Sequence, residues 1–405
     1  MDHHSPDKDY INFFDHYNHT NIVFGEGAFT QLGTELLLSG AGTMLTVFGG
    51  DSRNANGTYR AFTNLVLSFD IESPVFCGVP AEPDTECVRA IVKQMEECKP
   101  DAVVAVGGGS VMDAAKAAYL SWQSGLDVTE LFGTGAASSK FPDRTFKRVI
   151  CLPTTSGTGS EVTPYSNIVD RKTDLKYIIC DNAMTPSLAL VDPVYTCSMP
   201  RELTAATALD AMTHAIESFL NFRAVSPDPM AEKWAVECVK LIRYALPRAL
   251  QNPESLLDRE MLSAAATLGG MCIKTRPTSL PHLCSYSMWG KIPHGIAVSL
   301  MLPVFWRFYL EDSPEVAAQT MKLAGIFHSE KEQKTPEDVV SACEAFIASA
   351  APAARLSGLP CFNRELVAKI AADAVKNPGK LLSAPRPVPP EEAEKVLLNI
   401  LSGQL

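Results

Sequence analysis

The most restrictive feature of this sequence is a run of three glycines between a strand-like and a helix-like segment. Residues 102–106 form a continuous run of β-type apolar residues, and Gly107, Gly108, Gly109 and Ser110 follow it directly. Glycine lets a backbone approach a phosphate closely, and the start of a helix presents N–H groups and a positive dipole. The segment favours nucleotide binding over a plain tight turn, although its spacing differs from the GxGxxG fingerprint.

Strand-like and helix-like segments alternate through the first half of the chain. Strands are predicted over residues 44–48, 149–152 and 176–180, and a helix over 84–98 has Asp84 as its predicted N-cap. This alternation is typical of a mostly parallel sheet that helices cover on both faces.

Long helical patterns dominate the second half, among them residues 203–220, 229–250 and 390–401. We therefore predict two domains: an α/β dinucleotide-binding domain over residues 1–190 and an all-helical metal-binding domain over residues 191–405.

A second polar loop supports nucleotide binding. The segment 153–161 follows a predicted strand and contains five hydroxyl side chains and two glycines. Alone, such a segment is more often an ordinary polar loop. Together with the glycine run it indicates one cofactor held by two loops at the carboxyl ends of parallel strands.

Composition excludes several classes of function. The 405 residues carry a formal charge of −11, which argues against a nucleic-acid partner. The longest apolar stretches are shorter than a bilayer requires, so no membrane role is expected. The polar N-terminus lacks a signal-peptide core. Eleven scattered cysteines without CxxC spacing suggest reduced thiols in a cytoplasmic protein.

Four residues of the second half form a candidate metal-binding set. Asp210 and His214 are four residues apart on a predicted helix, so both point the same way; an exposed polar face is the simpler alternative. His282 and His294 follow in one short segment. One carboxylate and three imidazoles suit zinc or ferrous iron and leave room for a substrate oxygen. Glu217, one turn beyond His214, is placed to orient a ligand.

The chain resembles the iron-containing, metal-dependent alcohol dehydrogenases over nearly its whole length. The resemblance lies in four segments, 107–116, 153–163, 204–217 and 293–295. It implies a Rossmann-like domain followed by an all-helical domain, the dehydroquinate synthase-like fold of this family. It also implies NAD(H) or NADP(H), one iron or zinc ion, and a homo-oligomer such as a homodimer. The family's Asp and its first and last His ligands correspond to Asp210, His214 and His294.

One departure from the family pattern concerns the middle ligand. The family usually places this His fourteen residues before the last one, where this chain has Leu280. The neighbouring Pro-His-x-x-Ser-Tyr pattern suggests a shift of two residues, which makes His282 the ligand. That pattern resembles the branch that reduces phosphonoacetaldehyde or sulfoacetaldehyde. Tyr286 then stands where many members have a second His, so a proton relay through that His is not expected.

The resemblance also suggests how the cofactor is held. The glycine run is expected to bind the pyrophosphate, the loop residues Thr154, Thr155 and Thr158 to line the nicotinamide side, and Asp113 and Lys176 to contact the cofactor. Gly50 and Asp51 follow the predicted strand over residues 44–48, and Asp51 would accept hydrogen bonds from ribose hydroxyls and repel a 2′-phosphate. This favours NAD(H) over NADP(H). Ser52 and Arg53 argue the other way, since they would bind that phosphate.

The expected reaction is the reduction of a small anionic aldehyde to its alcohol. Sulfoacetaldehyde, giving isethionate, is favoured over phosphonoacetaldehyde because the lower charge needs fewer cations, and few are visible. Residues near the ligands are candidates for binding the acid group: Lys274, Arg276, Tyr286 and Lys291. The alternatives are a general short-chain alcohol dehydrogenase, a dehydroquinate synthase-like lyase, and a scaffold protein without activity.

Overall fold

The computed structural model of the protein describes residues 8–50, 57–69, 71–222, 228–311, 313–327, 332–351, 353 and 355–405. The chain divides into two compact units. The first comprises Met1–Met199 and Asn252–Thr267, and the second Pro200–Gln251 and Leu268–Leu405. The sequence pattern did not predict that residues 252–267 belong to the first unit.

The first unit contains a six-stranded, fully parallel sheet. Its strands are β1 (Asn21–Phe24), β2 (Met44–Gly49), β3 (Val75–Val79), β4 (Ala102–Gly107), β6 (Ile150–Pro153) and β9 (Leu188–Val191). They lie in the order β1-β9-β6-β4-β2-β3. The helices of this unit are α1 (Gln31–Ser39), α2 (Thr58–Val66), α3 (Thr85–Cys98), α4 (Gly109–Ser124) and α5 (Ala136–Lys140).

Alternating strand residues enter two apolar clusters, one on each face of the sheet. Leu45 and Val103 pack in one cluster with residues of α3 and α4, whereas Met44 and Val104 pack in the other with residues of α1 and α2. Because both faces are buried, the strands read as continuous apolar runs, which confirms the prediction. Asp84 caps α3 by accepting a hydrogen bond from Cys87 N, as predicted.

The strand order places a switch point between β2 and β4. The chain passes from β2 to its neighbour β3 and then returns to the other side of β2, where β4 pairs with it. Ligands of open parallel sheets bind outside the carboxyl ends of the strands at such a point. In the sequence, the predicted cofactor residues Gly50 and Asp51 follow β2, and the glycine run ends β4 and begins the next helix.

A separate three-stranded sheet lies in the same unit. It consists of β5 (Gly133–Thr134), β7 (Tyr165–Asp170) and β8 (Leu175–Cys180), with β7 antiparallel to β8. The predicted strand over residues 176–180 therefore exists but belongs to this second sheet, because it pairs with the segment just before it in the chain.

The second unit is helical. Its elements are α6 (Arg201–Leu220), α7 (Pro229–Gln251), the C-terminal part of α8 (Leu256–Thr275), α9 (Leu280–Ser285), α10 (His294–Leu310), α11 (Pro314–Met321), α12 (Pro336–Ala350), α13 (Arg364–Ala374), α14 (Pro378–Leu382) and α15 (Pro390–Ser402). None of the described helices combines the length and the apolar character needed to cross a membrane.

Candidate functional site

Helix α6 carries the first two predicted ligands. Asp210 and His214 are one turn apart, and both are buried. The face that they share with Glu217 is as inaccessible as the apolar face on the other side of the helix. The structure therefore rules out the alternative that these residues form an exposed polar face.

A single carboxylate oxygen lies at the centre of the cluster. Asp210 Oδ1 is 3.6 Å from His214 Nε2, 3.6 Å from His282 Nε2 and 3.8 Å from His294 Nε2. Two ligands of one tetrahedral ion, each about 2.1 Å from it, are about 3.4 Å apart. The ligand atoms of Asp210, His214 and His282 all lie within 4.8 Å of one another. The cluster thus has the size of a metal site.

The polar atoms of this cluster also fit a metal ion. Asp210 Oδ1 and His282 Nε2, two of the atoms that face one another in the cluster, are buried and have no hydrogen-bond partner among the described residues. Buried polar atoms are rarely left without a partner. The set of one carboxylate with imidazoles is the chemistry that zinc and ferrous iron prefer. His294 forms the open side, with 29% of its side chain exposed.

Glu217 fixes the orientation of the His282 ring by contacting the nitrogen that faces away from Asp210. One of its oxygens contacts His282 Nδ1, and the other accepts hydrogen bonds from Ser279 N and Ser279 Oγ, both at 2.9 Å. Tyr309 Oη lies 3.1 Å from Ser279 Oγ and accepts from Leu280 N. A carboxylate that accepts the Nδ1 proton leaves Nε2 free to face a metal. The sequence predicted this role for Glu217.

The charges of the cluster favour a bound cation. Burial lowers the pKa of His214 to about 4, so its imidazole is neutral at neutral pH. Burial raises the pKa of Asp210, but the neighbouring imidazoles outweigh it and hold the pKa below its ordinary value. Burial lowers the pKa of His282, but Glu217 and Asp210 raise it to about 9. Two carboxylates therefore stabilise positive charge at this position.

Gly295 explains how His294 reaches the cluster. A Cβ atom at this residue would overlap the carbonyl oxygen of Ala206 and lie 3.0 Å from Asp210 Cβ. Only glycine lets α10 approach α6 this closely. The ring of Tyr286 stacks on His294 with a centroid distance of 6.4 Å. Leu280 contributes only its backbone N–H to the contacts described above, whereas His282 lies beside Asp210.

In the first unit the two predicted cofactor loops pack against each other. Gly107 and Pro153 are register partners on β4 and β6, and Thr154 N donates to Gly107 O at 3.0 Å. A Cβ atom at Gly109 would lie 2.5 Å from Thr158 Cγ2. At Gly108 the nearest atom would be Thr155 Oγ1, at 3.1 Å. The glycines are therefore needed for the fit of the loops.

Beneath these loops lies a buried polar network that the sequence did not reveal. Asp113 accepts from Ser160 Oγ at 2.6 Å and from Asn167 N at 2.8 Å. Lys116 donates to the carbonyls of Ser160 and Thr163. Burial lowers the pKa of Lys116. The network fixes the loop over residues 160–163 to α4, and its only sequence signal was the Asp113-x-x-Lys116 spacing.

The loop over residues 160–163 also contains a buried carboxylate, that of Glu161. Glu161 Oε1 accepts a hydrogen bond from Thr267 Oγ1 at 2.9 Å, and burial raises the pKa of Glu161. This contact joins the loop to the returning segment 252–267 of the same unit.

The remaining residues that the sequence suggested for the cofactor or the substrate lie outside the contacts described above. Lys176 on β8 pairs with Glu82 at 2.7 Å, and Gly50 is exposed at the end of β2. Asp51 lies outside the described residues. Arg276 is buried beside Glu232, with 3.8 Å between Nη1 and Oε1.

Two further candidates for the acid group differ in exposure. Lys274 is half-buried, and Lys291 is exposed.

Comparison with known proteins agrees with the two units. The family model for iron-containing alcohol dehydrogenase matches residues 19–193, and the model for the C-terminal part of the same family matches residues 204–401. An alcohol dehydrogenase of Thermococcus barophilus is 32% identical over 71% of this chain and 74% of its own length. An NADPH-dependent butanol dehydrogenase of Clostridium saccharobutylicum is 31% identical over 75% and 76%.

Other relatives are longer proteins, of which the match spans only 28% to 30%. Among solved structures, an iron-containing alcohol dehydrogenase of Thermotoga maritima superposes with a TM-score of 0.78. It is 28% identical to this chain, and the superposition covers 95% of this chain and 99% of that structure.

These matches define the class of protein: an enzyme, and specifically an oxidoreductase of the alcohol dehydrogenase type. The chain belongs to the iron-containing alcohol dehydrogenase family. The lyase and scaffold alternatives find no support in either family model.

Proposed function

We propose that this enzyme reduces a small aldehyde to its alcohol with NAD(P)H, at a divalent metal ion held by Asp210, His214, His282 and His294. The observation that carries the proposal is the buried Asp210 oxygen with three imidazole nitrogens around it, in a member of this family. Either Fe²⁺ or Zn²⁺ suits these ligands.

Each side chain of the cluster has a role in this proposal. A bound metal supplies a Lewis acid for the aldehyde oxygen, and NAD(P)H supplies the hydride. Asp210 contributes the negative charge that binds the ion. His214 binds as a neutral imidazole, and Glu217 accepts the Nδ1 proton of His282, so that Nε2 is the nitrogen that exchanges its proton for the metal. His294 stands on the exposed side, where a substrate enters.

For the cofactor, we propose that Gly107, Gly108, Gly109 and Ser110 bind the pyrophosphate. The position of this run at the end of β4 and the start of α4, where backbone N–H groups and the positive helix dipole favour an anion, supports this assignment. The loop residues Thr154, Thr155 and Thr158 are proposed to face the nicotinamide, and Asp113 and Lys176 to contact the cofactor.

We propose NADH over NADPH, because Asp51 comes two residues after the last residue of β2 in the sequence, and a carboxylate there would repel a 2′-phosphate. A preference for NADPH of about tenfold in kcat/KM, equivalent to about 1.4 kcal/mol, would overturn this choice.

For the substrate, we propose an anionic aldehyde, with sulfoacetaldehyde reduced to isethionate first among the candidates. The pattern from Pro281 to Tyr286 supports it, and phosphonoacetaldehyde is the second candidate. A relative named for butanol favours the alternative of a general short-chain alcohol dehydrogenase.

The experiment is a kcat/KM panel over sulfoacetaldehyde, phosphonoacetaldehyde, propanal and butanal, followed by the loss of NADH absorbance. We expect the sulfonate to exceed the uncharged aldehydes by roughly 10-fold or more, the value of one charge-assisted hydrogen bond. Equal kcat/KM for all four aldehydes would show that the enzyme is a general alcohol dehydrogenase without a preference for anionic substrates. No turnover of any aldehyde by the metal-loaded enzyme would reject the reductase itself.

We propose a cytoplasmic homo-oligomer with no nucleic-acid or membrane partner. Five of the eleven cysteines are buried as thiols, which supports a reducing compartment.

A further inference from the structure

Lys380 is a cation near the metal-ligand cluster that sequence analysis did not single out. It lies on α14, whose start is capped by Asn377 Oδ1, the acceptor for Lys380 N. Its ammonium donates to Thr278 Oγ1 at 2.7 Å and to Tyr286 Oη at 3.2 Å. Thr278 is buried and Lys380 is half-buried, so α14 directs the ammonium inward and not into open solvent.

Tyr286 connects this cation to the cluster. Lys380 Nζ lies 5.2 Å from the centroid of the Tyr286 ring, and the same ring stacks on His294, the exposed member of the cluster. Through this ring the ammonium lies near the exposed side of the candidate ligand cluster.

The partners of Lys380 are neutral. Nearby Lys369 and Lys376 both pair with Asp373, at 3.1 Å and 2.7 Å. Lys380, in contrast, forms no ion pair with a carboxylate in the part of the chain that the structure describes. An ammonium has three donors and no acceptor, so Thr278 and Tyr286 must both accept from it. Their own O–H protons are directed elsewhere, and one N–H of Lys380 remains to bind a further group.

We propose that Lys380, with the hydroxyls of Thr278 and Tyr286, binds the acid group of the substrate. This inference rests on the proposed function and specifies its substrate class: an aldehyde whose short chain ends in a sulfonate, phosphonate or carboxylate. The single cation matches a monoanion best. A half-buried ammonium whose direct partners are hydroxyls attracts an anion, with the buried Glu217 as the charge that acts on it at longer range. Three polar hydrogens suit the oxygens of a tetrahedral acid group.

The same assignment replaces the cations that the sequence suggested. Arg276 is turned to Glu232 and donates to the carbonyl of Asp228 at 3.4 Å, and Lys291 is exposed. Lys274 is half-buried and has no part in this proposal. Tyr286 is the candidate that the proposal retains, because it contacts both Lys380 and His294.

The test compares Lys380→Met with the wild type and with Lys376→Met, a matched change in an exposed lysine of the same region. We expect Lys380→Met to lower kcat/KM for sulfoacetaldehyde roughly 10–100-fold, the size of a lost charge-assisted hydrogen bond, and to leave propanal nearly unchanged. Lys380→Arg should restore part of the loss. Lys376→Met should behave as the wild type on both aldehydes.

A binding measurement separates this inference from the proposed function. Calorimetric titration of isethionate into the protein should show weaker binding to Lys380→Met at unchanged metal content, whether or not any aldehyde turns over. An equal loss on sulfoacetaldehyde and propanal would assign Lys380 a structural role and overturn the inference. Unchanged isethionate binding would also overturn it, even if the wild type reduces aldehydes well.

Discussion

At the scale of single residues, the cluster depends on Glu217 as much as on the ligands. Burial acts to raise the pKa of Glu217, but the charge of His282 and the hydrogen bonds that it accepts lower the pKa overall. Its carboxylate is therefore ionised, and it decides which nitrogen of His282 carries the proton.

Glu217→Gln should weaken metal binding roughly 10–100-fold. The amide would donate to His282 Nδ1 and move the ring proton to Nε2, the atom that faces Asp210. Metal content after dialysis against a graded chelator measures the effect.

The control for this change is Glu311→Gln, since Glu311 is an exposed partner of Arg386 in the same unit. We expect wild-type metal affinity from the control. Wild-type affinity in Glu217→Gln would show that the carboxylate does not orient the ligand.

Local spacing predicted part of the cluster and missed the rest. The four-residue interval from Asp210 to His214 is fixed by helix geometry, and the structure confirms that both point the same way. His282 entered the candidate set as one of the histidines of a short segment, and only the family pattern favoured it over position 280 as the middle ligand. Lys380 gave no signal, because it lies 94 residues from Tyr286 and 102 from Thr278, and a lone lysine is ordinarily a surface residue.

At the scale of elements, the packing of α10 on α6 sets the position of His294. Helices whose contact includes glycine approach more closely than side chains otherwise permit. Gly269 on α8 does the same from another side, because a Cβ atom there would lie 3.1 Å from Ala211 O. The ligands therefore depend on residues that never touch the metal.

Gly295→Ala should push α10 away from α6 and withdraw His294 from Asp210. We expect a loss of stability of roughly 1–3 kcal/mol, as for other overpacked contacts, together with reduced metal affinity. Thermal unfolding and metal content measure the two effects. Gly358→Ala is the control, since its new Cβ would meet Ala353 Cβ at an ordinary 3.7 Å. Wild-type metal affinity in Gly295→Ala would refute this account of the helix contact.

The positions of the strands and helices were easier to predict than the pairing of the strands. The apolar runs and Asp84 located β4, β6 and α3 closely, because burial on both faces and a capping side chain act locally. The place of β8 in a second sheet was not predictable, since pairing depends on which strand the chain brings alongside.

At the scale of the whole molecule, the two candidate sites belong to different units. The glycine run and the threonine loop lie in the first unit, and the four candidate ligands lie in the second. Each candidate set therefore takes its residues from within a single unit.

Removal of the metal should consequently leave NADH binding intact. We expect the dissociation constant for NADH, measured by fluorescence titration, to change less than about twofold on chelation while turnover is lost, since such a change is worth under about 0.5 kcal/mol. A parallel loss of NADH binding and metal would show that the cofactor site needs the ion.

The central claim is that one metal ion at Asp210, His214, His282 and His294 enables aldehyde reduction, and a metal titration tests it most directly. Chelated enzyme is titrated with Fe²⁺ or Zn²⁺ while bound metal and NADH oxidation with sulfoacetaldehyde and with propanal are followed together. We predict that activity rises with bound metal and saturates at one ion per chain. His282→Ala should bind little metal and stay inactive, whereas His16→Ala, a change at an exposed histidine, should match the wild type. Full activity without metal, or one bound ion in His282→Ala, would contradict the claim.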